Sequence, residues 1–168
     1  MNNRYFYYVE GKCEKKLIET LKEQQLILPG KTEVFNATQD LFNNARFRLI
    51  PPHSIIILVF DTDRKDTHAL VQNICALKKQ KNVKHIYCIP QVECLEDELL
   101  RCTDAKSLKE LINCKSISGF KQAFLSEKNL YPKLINHCFD LSKLWNAQPS
   151  QEYLNESIMN DGAKIKLL

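Results

Sequence analysis

The spacing of apolar side chains changes several times along the chain, and each change marks an element. Tyr5-Phe6-Tyr7-Tyr8-Val9 is an aromatic and β-branched run, too short for a helix and punctuated by Gly11, so it predicts a buried strand ending near Glu10. From Cys13 onward Leu17, Ile18, Leu21 and Leu28 recur at helical spacing. They lie opposite a face of Glu14, Lys15, Lys16, Glu19, Lys22 and Glu23, and Pro29-Gly30 stops the helix. Residues 32–35 predict a weaker strand, and residues 40–47 a short helix before Pro51-Pro52. The run Ser54-Ile55-Ile56-Ile57-Leu58-Val59-Phe60 is continuously apolar after its serine, the pattern of a central parallel strand covered on both faces. It ends in Asp61-Thr62-Asp63.

Residues 68–79 carry Ala69, Leu70, Ile74 and Leu77 on one side and predict another amphipathic helix. Residues 83–89 predict a strand closed by Pro90, and residues 95–102 a helix opened by an acidic turn. This succession predicts an α/β domain over residues 1–103, a mostly parallel four-stranded sheet flanked by helices. Beyond Arg101 the strand signal ends. Apolar residues from Leu108 to Trp145 predict a helical extension over residues 104–148 packed on the sheet, followed by a weakly ordered tail over residues 149–168.

Composition narrows the picture. With 168 residues, 44% hydrophobic and 26% charged, the chain suits one packed domain with an appendage, not a linker or a disordered tail. Its longest apolar run is far shorter than the roughly 20 residues of a bilayer-spanning helix, so no membrane partner is expected. The start of the sequence lacks the apolar block of a secretory signal, and its seven cysteines form no Cys-x-x-Cys pair. Reduced thiols in a cytoplasmic protein are the expectation. Lys and Arg outnumber Asp and Glu by 8 to 6 in residues 1–50 and by 10 to 7 in residues 101–168, but trail by 6 to 7 in residues 51–100. An acidic middle beside a basic end suits a metal and a polyanion meeting on one protein, although lysine-rich segments are more often solvated helix faces.

In an open parallel sheet, ligands sit beyond the carboxyl ends of the strands, where the acids of this chain fall. Glu10 follows the first strand, Asp61 and Asp63 the central one, and Glu93, Glu96, Asp97 and Glu98 the last. Residues two apart in extended backbone share a side, so Asp61 and Asp63 are placed to share a cation. Carboxylates crowded without counterions repel unless a divalent metal neutralises them, and oxygen donors without a Cys/His cluster point to Mg2+ or Mn2+ over zinc. Weighed against this are a helix-dipole role for Glu14 and a solvated first turn for residues 93–98.

Val9-Glu10-Gly11-Lys12-Cys13-Glu14, after a hydrophobic strand, resembles the Val-Glu-Gly-x-x-Glu signature of the TOPRIM domain, the catalytic module of topoisomerases, bacterial primases and several nucleases. Phe60-Asp61-Thr62-Asp63-Arg64 resembles its second signature, Asp-x-Asp. The paired glutamates are most similar to OLD-type nucleases and to small RloB-like TOPRIM proteins of bacterial defence loci. OLD-type enzymes carry a further Ser-x-Glu after the next strand. Here Glu93 supplies the glutamate, while Gln91 stands where the serine would be.

Over residues 4–103 the resemblance implies a TOPRIM-like (Rossmann-like) fold and a metal-dependent nuclease acting on DNA or RNA in phage defence, with a co-encoded ATPase or other subunit as partner. It implies that Asp61 and Asp63 anchor Mg2+ or Mn2+, that Glu10 ligates it or moves a proton, and that Glu14 and Glu93 complete or share a second metal. Gly11 and Lys12 would approach a phosphate at the start of the first helix. Arg64, Lys115 and Lys121 are candidate cations for the developing charge. Two other readings stand beside this one. A non-catalytic TOPRIM subunit would bind nucleic acid or another protein. A haloacid-dehalogenase-like phosphatase also places Asp-x-Asp after a hydrophobic strand, but as the first strand and with a later Asp pair, which this chain lacks.

Overall fold

The computed structural model describes residues 3–114, 116, 118–150, 153 and 158–167. Four strands, β1 (Arg4–Val9), β2 (Lys31–Val34), β3 (Ser54–Asp61) and β4 (Val83–Gln91), form one all-parallel sheet in the order β2-β1-β3-β4. Helices flank it on both sides, so the molecule has the α/β architecture that the sequence predicts.

β3 is buried from Ser54 to Phe60, because both of its faces are covered. Tyr7, Val9, Ile57, Val59 and Ile89 point into one core, with Leu17, Ile18 and Leu21 of α1 (Lys12–Glu23). Tyr8, Ile56, Leu58, Phe60 and Cys88 point into the other, with Leu70, Ile74 and Leu77 of α3 (His68–Lys78). Each such side chain removed from water contributes about 1.5–3 kcal/mol. α2 (Asn44–Arg48) lies in the connection between β2 and β3, and the Asn43 side chain caps it by accepting from Arg46 N at 3.0 Å. Buried Asn73 fixes the preceding loop. It donates to the carbonyls of Ala37 and Asp40 at 2.9 and 2.7 Å and accepts from Phe42 N at 2.8 Å.

α4 (Leu95–Arg101) follows β4, and α5 (Leu108–Ile112), α6 (Phe120–Ser126) and α7 (Leu130–Asn136) pack Leu111, Phe120, Phe124, Leu130 and Leu134 into the same core as α1. Among the described residues no helix is long and apolar enough to cross a membrane.

Four expectations need correction. α1 ends at Glu23, not near Leu28: Gln25 takes a left-handed φ of 55°, and Ile27 then bridges antiparallel to Lys166. The apolar periodicity runs on through Leu28 because these residues are covered by the end of the chain. The short helix before Pro51-Pro52 starts only at Asn44, after turns near Thr38, and runs through Arg48. Pro90 does not close β4, which continues to Gln91. Cys88, two residues earlier, turns its N–H and carbonyl away from β3 toward Asp161, so the missing N–H of Pro90 falls on the outer edge and the ladder loses nothing. Finally, residues 158–167 are not loose. Ile158, Asp161, Gly162 and Ile165 are buried, Leu28 N donates to Ile165 O, and Leu167 N donates to Leu26 O.

Candidate functional site at the tips of β1 and β3

From β1 the chain crosses to β2 on one side, while β3 and β4 lie on the other. The tips of β1 and β3 therefore border the crevice where the direction of winding reverses, the usual ligand position in such sheets. Glu10 and Asp61 stand there. Glu10 Oε2 accepts from Asp61 N at 3.1 Å, and Glu10 Oε1 accepts from Asn36 Nδ2 at 2.8 Å. Asn36 is itself oriented, because its Oδ1 accepts from Thr38 N and Oγ1 at 3.1 and 2.7 Å.

Asp61 carries the strongest electrostatic signal. Burial, followed by the charges of Glu10, Glu14, Asp63 and Glu96, pushes its carboxyl up to about 8. Its Oδ1 is buried and has no hydrogen-bond partner among the described residues. Glu14 is buried in the first turn of α1, and its carboxyl is raised by burial and then by Glu96 and Glu10. Gly11 makes room for it. A Cβ on Gly11 would stand 2.7 Å from Glu14 Oε2, so the glycine serves the carboxylate of its own helix. Glu96 opens α4, and Lys121 Nζ of α6 lies 3.8 Å from its Oε1. Glu96 raises the ammonium pKa of Lys121 most, with Glu14 and Asp61 adding to it.

The structure thus brings Glu10, Glu14, Asp61, Asp63 and Lys121 to one neighbourhood and adds Glu96, which the sequence offers only as part of a helix turn. Asp63, Lys12 and Arg64 are exposed. Glu93 is not among the charges acting most on Asp61 or Glu14. It is exposed, with φ 66°, and its N–H donates to Thr62 Oγ1 at 3.0 Å. With Thr62, Asp63, Lys65, Ser150 and Tyr153 it lines a hollow of about 240 Å3. Lys115 lies outside the described residues.

The acidic turn is not uniformly solvated either. Glu98 is fully buried and accepts from Val92 N, Trp145 N and Arg101 Nη2 at 3.0, 3.0 and 2.8 Å, a structural anchor for α4. Tyr153 falls in the stretch that the sequence predicts as a tail, yet its ring stacks on Phe60 and its hydroxyl donates to Asp61 O at 3.4 Å. Burial and then the charges of Glu10, Asp63 and Asp61 raise its phenol well above the ordinary value. No local pattern in the sequence announces Tyr153 or Asn36. Cys13, inside the glycine motif, is a buried thiol pushed up to about 11 by burial and the neighbouring Glu14 and Glu96, which keeps it from acting as a nucleophile.

The donor chemistry suits a hard divalent cation: oxygen ligands, an unpartnered buried carboxylate oxygen, and acids that raise one another's pKa. A finished ligand shell is not built. Among the described residues no group of three His, Cys, Asp or Glu side chains is arranged to hold a metal ion. Exposed Asp63 would have to turn inward, and the buried Glu14 carboxylate would have to turn toward Asp61.

No family model, curated protein or solved structure matches the chain.

Proposed function

We propose that the protein is a divalent-metal-dependent phosphodiester hydrolase, a nuclease of DNA or RNA, whose site lies at the tips of β1 and β3. One observation carries the reading. The buried, unpartnered Oδ1 of Asp61 lies among four other acids at the crevice of the sheet, and burial with like charge makes this arrangement costly unless a cation relieves it. The two motifs that resemble TOPRIM signatures support it, because Glu10 and Asp61 fall at the neighbouring ends of adjacent parallel strands.

Asp61 and Asp63, with Glu10 and Glu14, would hold Mg2+ or Mn2+. Bound there, the cation supplies charge stabilisation at a phosphoryl oxygen and an activated water. The remaining work belongs to the chain. Asp61 gives up its proton when it becomes a ligand. Glu10, oriented by Asn36 and by Asp61 N–H, keeps free lone pairs on both oxygens to take up a proton. Lys121, beside Glu96 but with its side chain 74% exposed, offers its ammonium to a phosphate oxygen, and exposed Lys12 and Arg64 add positive charge nearby.

The test is incubation with plasmid, single-stranded DNA and RNA in Mg2+, Mn2+ or chelator, beside Glu10→Ala and Asp61→Ala. Metal-dependent cutting lost in both variants is the expected result. A second reading, a non-catalytic nucleic-acid-binding or regulatory subunit, is favoured because no three acid side chains among the described residues are arranged to hold a metal ion. Binding without cutting in every metal would select it.

A further inference from the structure

Beside the acidic site stands a buried amide with nothing to bind. Gln91 ends β4, is fully buried, and neither its Oε1 nor its Nε2 has a hydrogen-bond partner among the described residues. It lies in register with Asp61, whose Oδ1 is also buried and unpartnered. Val59 and Ile89, two residues before each of them, point into the core beneath α1. Alternation along the strands places Asp61 and Gln91 on that same face, on neighbouring strands about 4.8 Å apart.

The main-chain carbonyl of Gln91 is engaged twice. Gln91 O accepts from both Thr62 N and Thr62 Oγ1, at 3.0 and 3.1 Å. The strand end is therefore fixed, and only the side chain is left to adjust. An amide buried without partners costs stability, and an apolar side chain of similar volume would remove that cost. A neutral donor has one advantage at this position: it orients a carboxylate without supplying a charge that competes with a cation. A lysine here would fill the site with its own ammonium.

We propose that Gln91 is a positioning residue for Asp61: its Nε2 donates to the Asp61 carboxylate when that group carries a cation, fixing which oxygen faces the metal. This rests on the metal-dependent reading above and names a residue that neither signature motif contains.

The experiment titrates Mn2+ into wild type and Gln91→Met, following free Mn2+ by electron paramagnetic resonance, and melts both proteins in chelator. Met keeps the volume and removes the amide. The expected result is Mn2+ affinity weakened about tenfold, as for removed partners of metal ligands, with the melting temperature in chelator unchanged or raised. Wild-type affinity in Gln91→Met overturns the proposal alone. A melting temperature well below wild type makes the amide a structural group and also overturns it. Failure of wild type to bind Mn2+ overturns both this proposal and the metal-dependent reading, which separates the two failures.

Discussion

Glu10 Oε2 accepts a hydrogen bond from the backbone N–H of Asp61 at 3.1 Å, across a sequence separation of 51 residues. The carboxylate that ends one strand thereby fixes the tip of the next and brings a second acid close to the first. Glu10→Gln keeps an acceptor for that N–H and removes the charge. Its NH2 then faces the Asn36 amide donor, so we expect it to retain the fold with a loss of about 1–3 kcal/mol. Its cleavage rate should fall at least about 100-fold if Glu10 moves a proton, read in a single-turnover assay with Mg2+. Retention of the wild-type rate would remove Glu10 from the chemistry.

Asp61 makes stability depend on pH in an unusual direction. Its carboxyl is raised from 3.8 to about 8 in the folded protein. Below the unfolded value both states are protonated and there is no effect. Between the two values the unfolded chain ionises while the folded one holds its proton, so stability falls as pH rises, by up to about 1.4 kcal/mol per unit. Above about 8 the loss is complete. Urea melts in chelator from pH 4.5 to 8.5 should show this slope in wild type and a shallower one in Asp61→Asn, where the raised Glu14 carboxyl still contributes; equal slopes would contradict it.

Gly11→Ala separates the glycine's backbone from its side. With φ −144° and ψ −174°, an alanine fits without strain, and replacing glycine where the conformation is allowed stabilises by about 0.4–1 kcal/mol. The new methyl displaces Glu14 Oε2. Thermal stability should hold or rise while divalent-cation affinity drops, measured by calorimetric titration.

Asp161 is the closing contact of β4. Its N–H donates to Cys88 O at 2.8 Å and its Oδ2 accepts from Cys88 N at 3.0 Å, while Oδ1 pairs with Lys164. Asp161→Ala leaves a buried N–H without its acceptor, and denaturant unfolding should report a loss of about 1–3 kcal/mol. A change near zero would show that the contact contributes little.

The sheet was legible in the sequence because each strand is a local event. The apolar run through Ile57 and the aromatic run through Tyr7 announce themselves by composition, and the acids that follow are placed by chain order alone. Glu10 and Asp61 could be paired because neighbouring parallel strands end on the same side. What escaped detection depends on distant partners. Leu26 to Leu28 continue an apolar rhythm after α1 because Ile165 and Leu167 hydrogen-bond their backbone. Pro90 reads as a terminator, yet which edge its nitrogen faces is set by the pairing of β4 with β3. Asn36 and Tyr153 join the site only through contacts made across the fold, and Glu98, a surface acid by its pattern, is buried because Trp145 and Arg101 come to it.

The cap on β4 also governs what this sheet can recruit. Cys88 already engages both of its outward main-chain groups with Asp161, so a strand cannot add beside Cys88 unless the segment from Asn160 onward first peels away.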